Sequence, residues 1–142
     1  MQTFFEFLMR HWVLSLVALV LIVMLIGNEL SRRLQKFRTI DPSEVARKAG
    51  REGVVLIDVR EPNEWKEGHI KGARHIPLGK LGDRLGEIRS ESPDEVVIYC
   101  RSGNRSATAA NLLVKGGCEQ VSHLGGGILA WESQNYPVSK GK

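Results

Sequence analysis

The chain has 142 residues, 42% of them hydrophobic and 25% charged, with 15 glycines and only 6% aromatic residues. That length and composition describe about one globular domain with an aliphatic core, and exclude a disordered, collagen-like or multidomain chain. The net charge of +4 is concentrated at one end, where residues 1–38 carry Arg10, Arg32, Arg33, Lys36 and Arg38 against Glu6 and Glu29; the remainder is close to neutral, so a basic face for nucleic acid is not supported. Two cysteines, Cys100 and Cys118, are too few for a disulfide framework or a zinc site.

Residues 12–27 read WVLSLVALVLIVMLIG, with Ser15 as the sole polar member. As a helix this run covers about 24 Å at ~1.5 Å per residue, somewhat short of a ~30 Å hydrocarbon core. Adding Phe7, Leu8 and Met9 makes a full span of residues 7–27, with Arg10 snorkelling to the interface. Trp12, Phe4, Phe5 and Phe7 suit an interfacial belt. A cleaved signal peptide needs a small-x-small site, which the following Leu25-Ile26-Gly27-Asn28-Glu29 lacks. A buried core helix is the less attractive reading, because the run is apolar on every face. The segment reads as an uncleaved single-pass anchor in a lipid bilayer.

Arg32, Arg33, Lys36 and Arg38 follow the run, whereas Arg10 alone precedes it. The positive-inside bias then places the amino terminus outside and the rest in the cytoplasm, at the inner (cell) membrane. That compartment is reducing, which fits two unpaired thiols. Residues 1–38 are thus expected to form the anchor and a basic juxtamembrane linker, and residues 39–142 one folded domain.

Asp41 as cap, Pro42 in the first turn and Glu44 predict a helix running to about Gly50. Residues 54–59 are a β-branched apolar run, the pattern of a buried parallel strand. A short helix over Pro62–Glu67 stops at Gly68, and residues 73–76 form a short strand ended by Pro77. Residues 78–89 have helical spacing despite Gly79, Gly82 and Gly86. Glu95–Tyr99 is a second buried strand, and residues 106–115 a helix closed by Gly116 and Gly117. Residues 120–124 form a strand, followed by Gly125, Gly126 and Gly127 and a helix from Ile128 to about Ser133. Strands alternating with helices imply an α/β domain with a parallel sheet covered on both faces.

The segment Tyr99-Cys100-Arg101-Ser102-Gly103-Asn104-Arg105-Ser106 places Cys100 where a central strand ends, the usual ligand position of open α/β sheets. The free N–H groups of the next helix point back toward its sulfur. Gly103 and Asn104 tolerate positive φ, which lets successive amides curl into an anion-binding nest, and Arg101 and Arg105 add two cations. A free cysteine titrates near 8.5, and a drop of about 2 pH units, ~2.7 kcal/mol, makes thiolate the majority form at neutral pH. An inert strand-end cysteine would leave the arginines and the Gly-Asn turn without a purpose.

Four ordered motifs extend this reading over residues 40–138. They are Ile57-Asp58-Val59-Arg60; Gly68-His69-Ile70-Lys71-Gly72-Ala73 leading to Ile76-Pro77; the loop from Cys100 to Ser106; and Leu124-Gly125-Gly126-Gly127 followed by Trp131. Together they resemble a single-domain rhodanese. The resemblance implies a three-layer α/β fold, with a five-stranded parallel sheet between helices, and sulfur transfer through a cysteine persulfide. It implies Cys100 as nucleophile and persulfide carrier, with Arg101, Ser102, Gly103, Asn104, Arg105 and Ser106 as the substrate-binding loop. Arg101 and Arg105 would attract an anionic donor such as thiosulfate, and Asp58 and Arg60 would support the loop. The donor would be thiosulfate or a persulfide, and the acceptor a thiol or a protein that the tether brings to the membrane. No cofactor is implied.

His69 lies in the Gly-His-Ile motif and is expected to be structural. His75 and His123 read as packing or surface residues. No spacing among the histidines and cysteines makes a metal site. Cys118, after the helix stop, reads first as a small buried residue and second as a resolving thiol. Dual-specificity phosphatases share the fold, but their loop is C-x5-R, whereas Arg105 makes this one C-x4-R and Tyr99 stands where they carry histidine. A thioredoxin-like C-x-x-C is absent. The other class still open is a membrane-tethered interaction or sulfur-relay module with little thiosulfate activity of its own.

Overall fold

The computed structural model describes residues 1–34 and 36–141, apart from the side chains of Arg32 and Arg33, so that part of the basic cluster lies outside the described residues. The chain forms two compact units, Met1–Gln35 and Lys36–Lys142.

In the first unit, α1 (Gln2–Arg10) and α2 (Trp12–Leu34) are separated by His11. The His11 N–H still donates to the Phe7 carbonyl, but its backbone at φ −118°, ψ 43° leaves the helical region. Across the break the Ser15 hydroxyl donates to the Leu8 carbonyl at 3.4 Å, supplying a partner to one of the carbonyls that a helix end frees. The 20-residue stretch Trp12–Ser31 is long and apolar enough to cross a membrane, and none of it is buried within the protein. That exposure excludes the core-helix reading. The expected span of residues 7–27 falls on two helices, with Phe7, Leu8 and Met9 in α1 and residues 12–27 in α2.

In the second unit β1 (Arg38–Ile40), β2 (Val54–Asp58), β3 (Arg74–His75), β4 (Glu95–Tyr99) and β5 (Val121–Leu124) form one sheet in the order β1-β5-β4-β2-β3. Every neighbouring pair is parallel. The crossovers carry α3 (Pro42–Lys48), α4 (Pro62–Glu67), α5 (Leu78–Ser90) and α6 (Asn104–Lys115), and α7 (Gly127–Ser133) follows β5. This is the α/β architecture implied by the sequence: a five-stranded parallel sheet flanked by helices.

The period of two along the strands divides the core. Val55, Ile57, Val96, Ile98 and Cys100 pack with Leu81 and Ile88 of α5 and Ala109, Ala110 and Leu113 of α6. Leu56, Val97 and Tyr99 face the other way, among Val45 of α3 and Ile128 and Trp131 of α7. Alternation along β4 therefore sends Cys100 to the α6 side and Tyr99 to the opposite one.

Asp41 caps α3 as expected, its carboxylate accepting the Glu44 N–H at 2.9 Å. α5 forms despite its glycines because Leu78, Leu81, Leu85 and Ile88 recur at helical spacing on the core side, while a side chain at Gly79, Gly82 or Gly86 would meet open space. Three details differ from expectation. β1 begins at Arg38, within the expected linker; of its three residues only Ile40 is buried, so it shows no alternating pattern. β3 is two residues long instead of four, pinched between Gly72 and Pro77. α6 starts at Asn104, two residues before the expected Ser106.

Candidate active site

From the end of β4 the chain turns through Cys100, Arg101, Ser102 and Gly103 into α6. Gly103 takes φ 108°, the left-handed conformation that glycine alone adopts at little cost. Asn104, expected to share that conformation, is instead the first residue of α6, so the turn rests on one glycine. The turn aims backbone amides at the sulfur, and the Gly103 N–H donates to Cys100 Sγ at 3.0 Å. Cys100 is only 1% exposed. Burial pushes its thiol up, but the Ser106 hydroxyl and the backbone N–H groups of Ser106, Gly103 and Ser102 outweigh burial and hold it below the ordinary thiol range. Amides and a hydroxyl are the larger causes that lower this thiol, and the Arg105 charge, which the sequence also implicated, interacts with it as well.

Ser106 was expected among the substrate-contacting residues. It is wholly buried, so its hydroxyl serves the sulfur from inside the fold. That hydroxyl lies 3.5 Å from Cys100 Sγ, donates to the Gly103 carbonyl at 3.1 Å and stands 2.9 Å from His123 Nδ1. His123 Nε2 in turn stands 3.0 Å from Thr39 Oγ1. His123 is thus a buried, doubly hydrogen-bonded residue of the site's floor, not a bystander at the surface. Burial pushes its pKa down.

The two loop arginines differ. Arg105 is engaged by Glu64 of α4, with Nη1–Oε2 and Nη2–Oε1 both at 2.8 Å. This fork, opposed by burial and helped by the Glu61 N–H, holds the Glu64 carboxyl at about 2 and raises Arg105 further. Arg101 is exposed, and among the described residues its side chain has no hydrogen bond or ion pair. It edges a cavity of about 260 Å³ whose wall also includes Arg60, Glu64, Glu67, Ile128, Leu129 and Glu132.

Asp58 and Arg60 form a buried pair, with Arg60 Nη2–Asp58 Oδ2 at 2.7 Å and Nε–Oδ1 at 3.0 Å. Arg60 also donates to the Gly68 carbonyl at 2.6 Å, and its guanidinium lies 5.7 Å from the Tyr99 ring centre. Its direct hydrogen bonds therefore brace the segment at Gly68, beside the sulfur-bearing loop. His69 accepts a structural place, with its ring stacked 3.5 Å from that of Trp65 and Nδ1 2.9 Å from the Trp65 carbonyl.

The Gly125-Gly126-Gly127 run holds the loop from outside. The Ile128 N–H donates to the Cys100 carbonyl at 2.8 Å and the Leu129 N–H to the Arg101 carbonyl at 3.2 Å. Gly127, at φ 59°, lies so close to the backbone of Cys100 and Arg101 that a Cβ there would overlap both. Cys118 is half-buried beside Arg89, Asp94 and Val96. Val96 and Cys100 are separated by the length of β4, about 13 Å at ~3.3 Å per residue, and burial raises the Cys118 thiol.

Glu64, Thr39 and His123 were not legible as site residues. Glu64 carries no motif of its own. Thr39 and His123 face each other in register across β1 and β5, a pairing that becomes visible only once the strand order is known.

This fold and site define the rhodanese-like class. A model of the Rhodanese-like domain matches residues 41–134, and the chain belongs to that family. It is 42% identical over 119 residues to the uncharacterized protein YqhL of Bacillus subtilis, covering 84% of this chain and 90% of that one. It is 40% identical over 92 residues to a sulfurtransferase of Allochromatium vinosum, covering 65% of this chain and 84% of the relative. The crystal structure of a rhodanese-related protein from Thermoplasma volcanium superposes with a TM-score of 0.64 at 29% identity, over 72% of this chain and 98% of that one.

Proposed function

We propose that this protein is a single-pass membrane-anchored sulfurtransferase that moves a sulfane sulfur through a persulfide on Cys100. The observation that carries the reading is the Cys100 sulfur held among inward-turned amides, 3.0 Å from the Gly103 N–H. The same amides that favour a thiolate also favour the anionic outer sulfur of a persulfide. In the loading step the Cys100 thiolate attacks the sulfane sulfur of thiosulfate; a new S–S bond forms, the old one breaks, and its electron pair leaves with sulfite. In the unloading step an acceptor thiolate or cyanide attacks the outer sulfur, and the electron pair of the breaking bond returns to Cys100. Both steps are nucleophilic displacements at sulfur and use no separate base. The amides of Ser102, Gly103 and Asn104 cradle the moving sulfur, Arg101 draws an anionic donor, and Asp58 and Arg60 keep the neighbouring segment in place.

The amino-terminal unit supplies the address. α2 spans the bilayer, and α1, with Gln2, Glu6 and Arg10 on one stripe and Phe4, Phe7 and Leu8 off it, lies in the interface. Arg32, Arg33, Lys36 and Arg38 keep the carboxyl side in the cytoplasm, at the inner membrane. The acceptor is then a thiol or protein met at that surface.

Intact-mass spectrometry of the purified full chain tests the central claim. Thiosulfate or a low-molecular-weight persulfide should add one sulfur atom to Cys100, and thiosulfate should release one sulfite. No added sulfur with either donor rejects the sulfurtransferase.

One observation favours the relay version of this function. The Arg105 and Arg60 charges are matched by Glu64 and Asp58, while Glu67 and Glu132 also border the cavity. Arg101 is then the unmatched cation that a dianion meets there among the described residues, whereas a persulfide carried on a protein thiol does not depend on it. Faster loading from a protein persulfide than from thiosulfate would mark the chain as a relay.

A further inference from the structure

Ser106 has one hydroxyl proton and three partners: the Gly103 carbonyl at 3.1 Å, Cys100 Sγ at 3.5 Å and His123 Nδ1 at 2.9 Å. We propose that His123 is a positioning residue for Cys100: its Nδ1–H donates to Ser106 Oγ and thereby leaves the Ser106 proton to the sulfur. The proposal rests on Cys100 as the reactive thiolate.

The hydrogen-bond inventory carries the argument. A bare Nδ1 would compete with the sulfur for the Ser106 proton, because a neutral imidazole has one acceptor nitrogen and one donor. A protonated Nδ1 removes that competitor and occupies a lone pair of Ser106 Oγ. The Ser106 proton then chooses between a neutral carbonyl and an anionic sulfur, and the charge-assisted bond is the stronger. Thr39 makes the required tautomer available. Its hydroxyl, free to rotate, donates to Nε2 across 3.0 Å, so both ring nitrogens are satisfied with the proton on Nδ1.

The surroundings keep the ring neutral. From the β1 side it meets Thr39 and the edge of Phe37, with ring centres 5.3 Å apart. On β4 its register partner is Ile98, and from α6 it meets Ser106. None of these groups bears a charge, and Cys100, beyond Ser106, is the titratable group in line with it. Burial further disfavours the imidazolium. When Cys100 is a thiol the chain reverses without moving a heavy atom: S–H donates to Ser106 Oγ, and Ser106 donates to Gly103. His123 thus favours the thiolate end of a two-state hydrogen-bond chain.

The pH profile of iodoacetamide alkylation at Cys100 tests this, using the detergent-solubilised full chain in a Cys118→Ser background with folding followed by circular dichroism. His123→Leu should move the midpoint up by about one pH unit, giving about tenfold slower alkylation below it. His123→Asn, which can place an amide N–H near the position of Nδ1, should restore most of the rate. Thr39→Val, nearly isosteric and at the sheet edge, should shift the midpoint in the same direction by less. In a Ser106→Ala background His123→Leu should add nothing. A folded His123→Leu protein with the parent midpoint overturns the proposal, as does an equal shift without Ser106 or an Asn variant no better than Leu. If His123→Leu does not fold, an unchanged midpoint in Thr39→Val overturns it. Sulfur loading of the parent chain is scored separately, so failure of the transfer function and failure of the His123 role give different results.

Discussion

Glu64 of α4 and Arg105 of α6 are joined by two parallel hydrogen bonds of 2.8 Å, which tie the helix after β2 to the helix that begins at the sulfur. The pair fixes Arg105 against its neighbour and sets a carboxylate beside it, while the Arg105 charge still acts on Cys100. The charge of the site is therefore set in part by a residue outside the sulfur-bearing loop.

Releasing Arg105 should make the protein a better thiosulfate enzyme. Glu64→Gln removes one negative charge near the path of a dianion, an effect of about 1 kcal/mol per charge pair at contact in water, so kcat/KM for thiosulfate should rise about fivefold or more and fall more steeply with salt. Arg101→Ala should cost more than Arg105→Ala, because Arg101 is the cation without a carboxylate partner among the described residues. Steady-state kinetics against ionic strength checks both; equal losses at the two arginines would contradict the assignment.

The same pair predicts an acid limb of stability. The Arg105 hydrogen bonds hold Glu64 at about 2 in the fold against 4.5 for an unperturbed glutamate. Its stabilisation is complete above about pH 4.5 and is lost as pH falls toward 2. Urea titrations at pH 6 and pH 3 should show a smaller loss for Glu64→Gln than for the parent. The pair is partly exposed, so the difference should be at most about 1 kcal/mol.

The two cysteines should separate cleanly. Cys100→Ser is nearly isosteric and should abolish thiosulfate:cyanide transfer with the fold intact. Cys118→Ser should keep most activity, since its thiol is at the far end of β4 and is pushed up by burial. Equal inactivation of both folded variants would replace the single-cysteine route with a two-thiol relay.

Gly127→Ala should be far more damaging than a methyl group implies. The position combines φ 59° with backbone overlap at Cys100 and Arg101, for a cost on the order of 3 kcal/mol. Thermal denaturation should show the loss, and the variant's alkylation rate at Cys100 should fall even where it remains folded. A parent-like melting point would mean that the α7 turn yields easily.

The proposed topology rests on the basic cluster. A carboxy-terminal reporter active only in the cytoplasm should work and an export-dependent one should not. Neutralising Arg32, Arg33, Lys36 and Arg38 should mix the two outcomes. The opposite pattern in the parent would reverse the orientation and the redox compartment together.

The sequence alone determined most of the elements and the place of Cys100 between a strand and a helix, because those are local. Continuous apolar, β-branched runs marked β2 and β4; Asp41-Pro42 and Gly116-Gly117 marked helix ends; and Cys100 was set between a strand and a helix by the residues on either side of it. β1 escaped, since three residues with one buried side chain contain no pattern. Tertiary structure alone decided the electrostatics. Arg105 and Glu64 are 41 positions apart, and Ser106, His123 and Thr39 lie on three elements. Whether a charge is free or matched, and which hydroxyl reaches a sulfur, depends on groups brought together through space by the strand order. A linear sequence specifies that order only through the whole packed sheet.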